Sequence, residues 1–167
     1  MLKKFASATN VVVYTDGACT DNPGPTGSGA CFFSKSLEET NDQERLKYIC
    51  HSQLHLGHST NNMGEYTAVI LGLVICVLSH IEHIEIRTDS MVLVKQVEGV
   101  YKVKNQRLAE LVSIMLDLKK HFRSFKIDWI RRELNAFADK VAKDAANNIV
   151  GRSAEQPDLF KIKFKDN

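Results

Sequence analysis

The chain is short of the features that mark secreted or membrane-spanning proteins. Four cysteines in 167 residues (Cys19, Cys31, Cys50, Cys76) show no paired metal-ligand spacing and stand in no secretory context. Free buried thiols in a reducing compartment are the expectation. The longest apolar run, Ala68 to Leu78, is interrupted by Gly72 and too short for a bilayer. The start, Met1-Leu2-Lys3-Lys4-Phe5, has no apolar signal core. There is no internal repeat or low-complexity tract. A soluble, intracellular and cytoplasmic protein is expected, with no membrane and no obligate protein partner. Net charge is only +2, so overall composition does not demand a nucleic-acid partner.

What is present reads as one globular unit. With 44% hydrophobic and 25% charged residues, the chain can build a single core without disulfide help. The expected organisation is a domain over 10–149, with tails at 1–9 and 150–167. Val11, Val12, Val13 and Tyr14 predict a buried strand, closed by Asp16-Gly17. A rigid turn follows at Asp21-Asn22-Pro23-Gly24-Pro25. Ser28–Ser34 predicts a second strand, where Gly27 and Gly29 permit close backbone approach. Lys35–Glu44 reads as a hairpin loop and Leu46–Leu56 as a third strand, antiparallel to the second. Met63, Tyr66, Val69, Ile70, Leu73, Val74 and Val77 then recur at helical spacing, with Thr60 or Asn61 as cap. A fourth strand (82–88), a short helix (91–97), a longer helix (106–121), a fifth strand (125–130) and a last helix (135–147) complete the order. A meander followed by crossover units predicts an α/β fold, a mixed five-stranded sheet with helices on both faces. The alternation Phe160-Lys161-Ile162-Lys163-Phe164-Lys165 reads as an edge strand or a loose tail.

Charge is uneven along this order. Lys119, Lys120, Arg123, Lys126, Arg131 and Arg132 share one stretch with only Asp128 as counterweight, preceded by Lys102, Lys104 and Arg107. Such a stretch either neutralises phosphates or forms a solvated face. Four acids stand where strands end or helices begin: Asp16, Glu65, Asp89 and Asp139. Singly, each has an ordinary reading as turn, cap or exposed charge. Together, four carboxylates in one crevice repel one another unless cations lie between them. All-oxygen ligands suit Mg²⁺, with Mn²⁺ as a substitute. Two such ions can activate water and stabilise the leaving oxygen of a phosphodiester displacement.

The motifs around these acids are specific. Tyr14-Thr15-Asp16-Gly17-Ala18-Cys19 with Asn22-Pro23-Gly24-Pro25 resembles the opening motif of type 1 ribonucleases H. Thr60-Asn61-Asn62-Met63-Gly64-Glu65 resembles that family's segment with its catalytic glutamate. Thr88-Asp89-Ser90 is similar to its third acid motif, and Asn135 with Ala138-Asp139 and Ala142 to its fourth. The likeness runs in order from about Val11 to Asn147. It implies a ribonuclease H-like fold and an endonuclease that cuts the RNA strand of RNA–DNA hybrids. It implies Asp16, Glu65, Asp89 and Asp139 as ligands of two Mg²⁺ ions. It also implies that Cys19, Asn22, Asn61 and Glu65 lie near the RNA 2′-hydroxyls. Thr60, Lys104 and Asn105 would meet the DNA strand, with Thr60 seating a phosphate.

The sequence departs from the family in places. Met91 follows Asp89-Ser90 where a glutamine is common. Gly99-Val100-Tyr101 leads directly to Lys104 with no basic handle, and no hybrid-binding domain is expected ahead of the fold. The loop before Asp139 lacks the family's histidine. Trp129-Ile130-Arg131-Arg132-Glu133-Leu134-Asn135 instead resembles a compact branch with an Arg-Glu-X-Asn segment. Arg132, or Glu133 as the lesser candidate, then takes over near a phosphate, against a plain surface ion pair. Three rival readings remain: a same-fold nuclease for another nucleic acid, a non-catalytic hybrid-binding module, and a domain of a reverse transcriptase. An initiator methionine and a free tail favour a stand-alone protein over the last.

Overall fold

The computed structural model describes residues 5, 8–37 and 44–148. Three strands form an antiparallel meander: β1 (Asn10–Cys19), β2 (Gly24–Leu37) and β3 (Glu44–Ser59). Then come α1 (Asn61–Leu78), β4 (His83–Thr88), α2 (Met91–Val97), α3 (Gln106–Lys119), β5 (Ser124–Trp129) and α4 (Ala136–Ala146). The sheet order is β3-β2-β1-β4-β5, with β4 parallel to both β1 and β5. This is the expected mixed sheet with helices on both faces.

The strands run further than side-chain alternation alone indicates. Lys35, Ser36 and Leu37, read from sequence as hairpin loop, still pair with Leu46, Arg45 and Glu44. Backbone pairing carries the ladder past the apolar pattern, and Lys35 Nζ is held by Glu85 at 2.8 Å. The Asp21–Pro23 turn joins β1 to β2, with a cis Asn22–Pro23 peptide and Asp21 at φ 56°.

Alternation along β1 and β2 builds two cores. Val11, Val13, Ala30 and Phe32 pack with α1, α2 and α3 on one face, and Cys31 and Phe33 with Ala138 and Val141 of α4 on the other. Each large side chain fully removed from water contributes about 1.5–3 kcal/mol. Phe5, which the sequence assigns to the tail at 1–9, is buried edge-on against Phe32 at 5.5 Å. The alternating segment 160–165 lies outside the described residues.

The apolar stretch of α1 extends beyond Ala68–Leu78. All of Asn61–Leu78 is long and apolar enough, by length and composition, to cross a membrane. Here that character serves packing, with Tyr66, Val69, Leu73 and Cys76 fully buried against the sheet. Among the described residues no disulfide is formed, with Cys31, Cys50 and Cys76 buried and Cys19 half-buried.

Close approach of helices to strands depends on missing side chains. A Cβ on Gly27 would stand 2.2 Å from Ala146 N and 2.3 Å from Ala142 O, so α4 lies directly on β2. A Cβ on Gly17 would stand 2.1 Å from Glu65 N. The start of α1 is thereby seated against the end of β1.

Candidate active site

Parallel pairing brings the first two acids together. β1 and β4 are in register at Tyr14↔Arg87, and two residues further the same register sets Asp16 beside Asp89 with both side chains on one face. The contact of Gly17 with the backbone at Glu65 delivers the third acid. The fourth comes through Asn135, which is buried and donates from Nδ2 to Thr15 O at 3.0 Å and to Asp89 Oδ1 at 2.8 Å. That amide ties the start of α4 to β1 and β4, and Asp139 follows one turn later, its N–H bonded to Asn135 O. Asp16, Glu65, Asp89 and Asp139 accordingly line one crevice of about 270 Å³, together with Cys19, Asn61, Arg132 and Lys143.

Each acid has a distinct environment. Asp16 is buried and accepts one hydrogen bond, from Gly17 N–H at 2.8 Å. Burial pushes its carboxyl up to about 7, aided by Asp89, opposed by the Gly17 bond, and aided further by Asp139 and Glu65. Glu65 accepts from Asn61 Nδ2 at 3.0 Å and from Ser90 Oγ at 2.5 Å. Its carboxyl is also raised, chiefly by burial and then by Asp89, while the Ser90 and Asn61 bonds pull it back. Asp139 is held by Lys143 Nζ at 2.6 Å and lies 3.7 Å from an Arg132 guanidinium nitrogen.

This arrangement fits hard divalent cations in an open site. The acids supply only oxygen, and a carboxyl pushed to about 7 by burial and then by its acidic neighbours sits where negative charge calls for a counter-ion. Among the described residues, no three His, Cys, Asp or Glu side chains are drawn together as a ready-made ion site. Several of the oxygens are turned to Asn61, Ser90, Asn135 and Lys143 instead. An open set is what Mg²⁺ uses, because it keeps waters and takes substrate phosphate oxygens alongside one or two carboxylates.

The other sequence-predicted residues, Lys104 excepted, divide between two places. Asn22, Thr60 and Asn105 line a separate hollow of about 610 Å³ with His58 and Arg107. Asn22 reaches back toward the crevice, its Oδ1 accepting from Asn61 N–H at 3.1 Å. Thr60, rather than Asn61, caps α1, its hydroxyl accepting from Met63 N–H at 3.3 Å, and Asn105 caps α3 by accepting from Leu108 N–H at 3.1 Å. Lys104 is exposed and lines neither space.

The basic stretch is split by the fold. Arg123 bonds Glu82 just ahead of paired His83 and Ser124, at the start of β4 and β5, whereas the acids stand at the strands' other end. Six residues separate those ends by about 20 Å. Lys120, Arg123 and Lys126 are moreover paired with Asp117, Glu82 and Asp128. Only Arg131 and Arg132 of that stretch reach the acid end.

Two contributors escaped the sequence reading. Lys143 is one helical turn past Asp139, an i,i+4 spacing on α4 that could have revealed the pair. The Ser90–Glu65 bond joins elements 25 residues apart and leaves no local signal. Lys143→Ala should leave Asp139 freer to meet a cation. The Mn²⁺ midpoint should fall about two- to fivefold, the scale of one exposed ion pair. An unchanged or higher midpoint in a metal titration would show that Lys143 does not compete with the ion.

Comparison with known proteins agrees with this fold. The family model described as reverse transcriptase-like matches residues 14–145. The bifunctional protein Rv2228c of Mycobacterium tuberculosis is 32% identical over 91% of this chain. The chain spans about two fifths of that relative, 40% of its length. A solved structure of the relative's N-terminal RNase H domain, fused to maltose binding protein, superimposes with a TM-score of 0.74. It covers 85% of this chain and 96% of that one at 30% identity. Ribonuclease H of Ehrlichia ruminantium is 33% identical over 71% of this chain and 78% of its own. LC11-RNase H1, solved in complex with an RNA/DNA hybrid, gives a TM-score of 0.69 at 30% identity, covering 85% of this chain and all of that one. With its fold, its four ordered motifs and these relatives in agreement, the chain belongs to the type 1 ribonuclease H family.

Proposed function

We propose that this chain hydrolyses the RNA strand of RNA–DNA hybrids, with two Mg²⁺ ions held by Asp16, Glu65, Asp89 and Asp139. The observation that carries this is the convergence of four acids, from β1, α1, β4 and α4, on one crevice. When bound, the ions supply Lewis acidity at the scissile phosphate and lower the pKa of attacking water. The chain's own side chains orient and hold. Asn61 and Ser90 fix the Glu65 carboxylate, and Asn135 fixes that of Asp89. Cys19 and Asn61 line the same crevice and are suited to the RNA sugar edge, where the 2′-hydroxyl distinguishes RNA from DNA. Asn22 braces Asn61 from outside. Thr60 and Asn105, lining the neighbouring hollow, are suited to a phosphate of the DNA strand, with exposed Lys104 beside them. Such contacts set the position of the hybrid without reading its bases.

The test compares labelled RNA–DNA hybrid, double-stranded DNA, double-stranded RNA and single-stranded RNA, each with Mg²⁺, Mn²⁺ or EDTA. Cleavage of the hybrid RNA alone, and only with metal, is expected. Binding without cutting would make the chain a hybrid-binding module, and cutting of duplex DNA would assign it another substrate.

Affinity follows from the split basic stretch. With few cations at the acid end, hybrid binding should be weak and should fall steeply with salt. Cleavage of long hybrids should be distributive. Full digestion of some molecules beside untouched ones at moderate salt would contradict this.

A further inference from the structure

Trp129 is the chain's one tryptophan. It ends β5 and is 44% exposed, yet its indole N–H is engaged by the main chain of Asp89. Thr88 and Trp129 are register partners, and Ile130 N–H donates to Thr88 O at 2.9 Å. With that bond the β4–β5 ladder is complete. Asp89 comes next, and its carbonyl takes its hydrogen bond from Trp129 Nε1 at 3.2 Å. The same peptide unit is held at its other end, where Ser90 N–H donates to Thr88 Oγ1 at 3.2 Å. The plane between Asp89 and Ser90 is therefore fixed by two side chains.

That plane governs two acids. Its rotation turns the Asp89 backbone and so the direction of its carboxylate. Ser90, on its far side, donates to Glu65 Oε2 at 2.5 Å. We propose that Trp129 is a positioning residue, whose indole N–H sets the Asp89–Ser90 peptide and with it the aim of Asp89 and Glu65 into the crevice. This rests on the reading that those two acids receive a divalent cation. A group that orients metal-binding side chains from behind typically changes metal affinity by about 10- to 100-fold when removed. The indole acts through the main chain, so the lower end of that range applies.

The experiment uses the full chain and Mn²⁺ alone. Free Mn²⁺ is measured by electron paramagnetic resonance against the parent, Trp129→Phe and Asp89→Asn, and each is melted without metal. Phenylalanine keeps a ring and removes the donor. The parent should bind Mn²⁺, Asp89→Asn should bind it much less, and Trp129→Phe should bind about tenfold more weakly. The metal-free Tm of Trp129→Phe should fall by no more than about 5 °C, the scale of one lost hydrogen bond. Parent-like Mn²⁺ affinity in Trp129→Phe overturns the role of Trp129 while leaving the four-acid site standing. No Mn²⁺ binding by the parent overturns both. Should Trp129→Phe fail to fold, Trp129 fluorescence in the parent decides. A saturable change on Mg²⁺ titration that Asp89→Asn loses supports the coupling, and a flat response where Mn²⁺ binds rejects it.

Discussion

Asp16→Asn should abolish hybrid cleavage and, at pH 8 without metal, raise the melting temperature. Both effects have one cause. The Asp16 carboxyl is buried beside Asp89, Asp139 and Glu65, and its pKa rises from 3.8 to about 7. A carboxyl with a raised folded-state pKa holds its proton more tightly when folded than when unfolded. Stability is therefore full below about 4 and is lost as pH climbs through about 7. Above that, the metal-free protein carries an ionised, poorly solvated Asp16 at a cost on the order of a few kcal/mol. Asparagine removes that charge while keeping the shape, so a gain of about 3–10 °C in Tm is expected at pH 8. Little change is expected near pH 4. Glu65→Gln should act in the same direction, since burial raises Glu65 as well. Saturating Mg²⁺ should reverse the order by stabilising the parent through binding. Melts of parent and Asp16→Asn at pH 4.5 and 8, with and without Mg²⁺, check this. Near-parent turnover by Asp16→Asn would remove that residue from the metal set, and a lower Tm at pH 8 would contradict the assigned cost of a buried charge.

Arg132→Ala should slow cleavage by about 10- to 1000-fold, the range for losing one preorganised charge-stabilising group. Arg132 stands in a 3-10 turn (Arg132–Leu134) between β5 and α4. It lines the crevice, and its guanidinium lies 3.7 Å from Asp139. Its side chain is 74% exposed, so the ion pair itself adds little to stability. An exposed cation at the lip of an acidic crevice is instead available to a phosphate. Arginine stays charged at all ordinary pH and cannot shuttle protons. Its loss should therefore lower the rate equally from pH 6 to 8. Arg132→Lys should recover part of the rate. Glu133→Ala should do less harm, because Glu133 is exposed and does not line the crevice. Single-turnover cleavage of a short hybrid at saturating Mg²⁺ separates the cases. Parent-rate cleavage by Arg132→Ala would reduce the arginine to a surface ion pair.

Hydrophobic periodicity carried most of the architecture. The run Val11–Tyr14 and the 3.6-residue recurrence from Met63 to Val77 each specify an element, because side chains that share a face must share a period. Strand ends were less legible. Lys35–Leu37 continue β2 although the segment reads as a loop, since strand pairing is made by backbone groups that every such residue carries. The four acids were legible by type and position, at the close of a strand or the opening of a helix, within motifs that the family shares.

The sequence by itself determined which side chains are available: four carboxylates, an arginine after β5, an asparagine before α4, and glycines where helices must touch strands. Tertiary structure alone decided how they combine. Parallel register sets Asp16 beside Asp89 across 73 residues of chain, and Gly17 admits the backbone at Glu65. Ser90 reaches Glu65, Asn135 reaches Thr15 and Asp89, and Trp129 reaches the Asp89 carbonyl. The strand direction also sent Lys120 and Arg123 to the end of the sheet away from the acids and brought Arg132 to them. Local sequence sets a residue's period and conformation, whereas meetings between distant residues depend on register and close packing, which only the assembled sheet and helices fix.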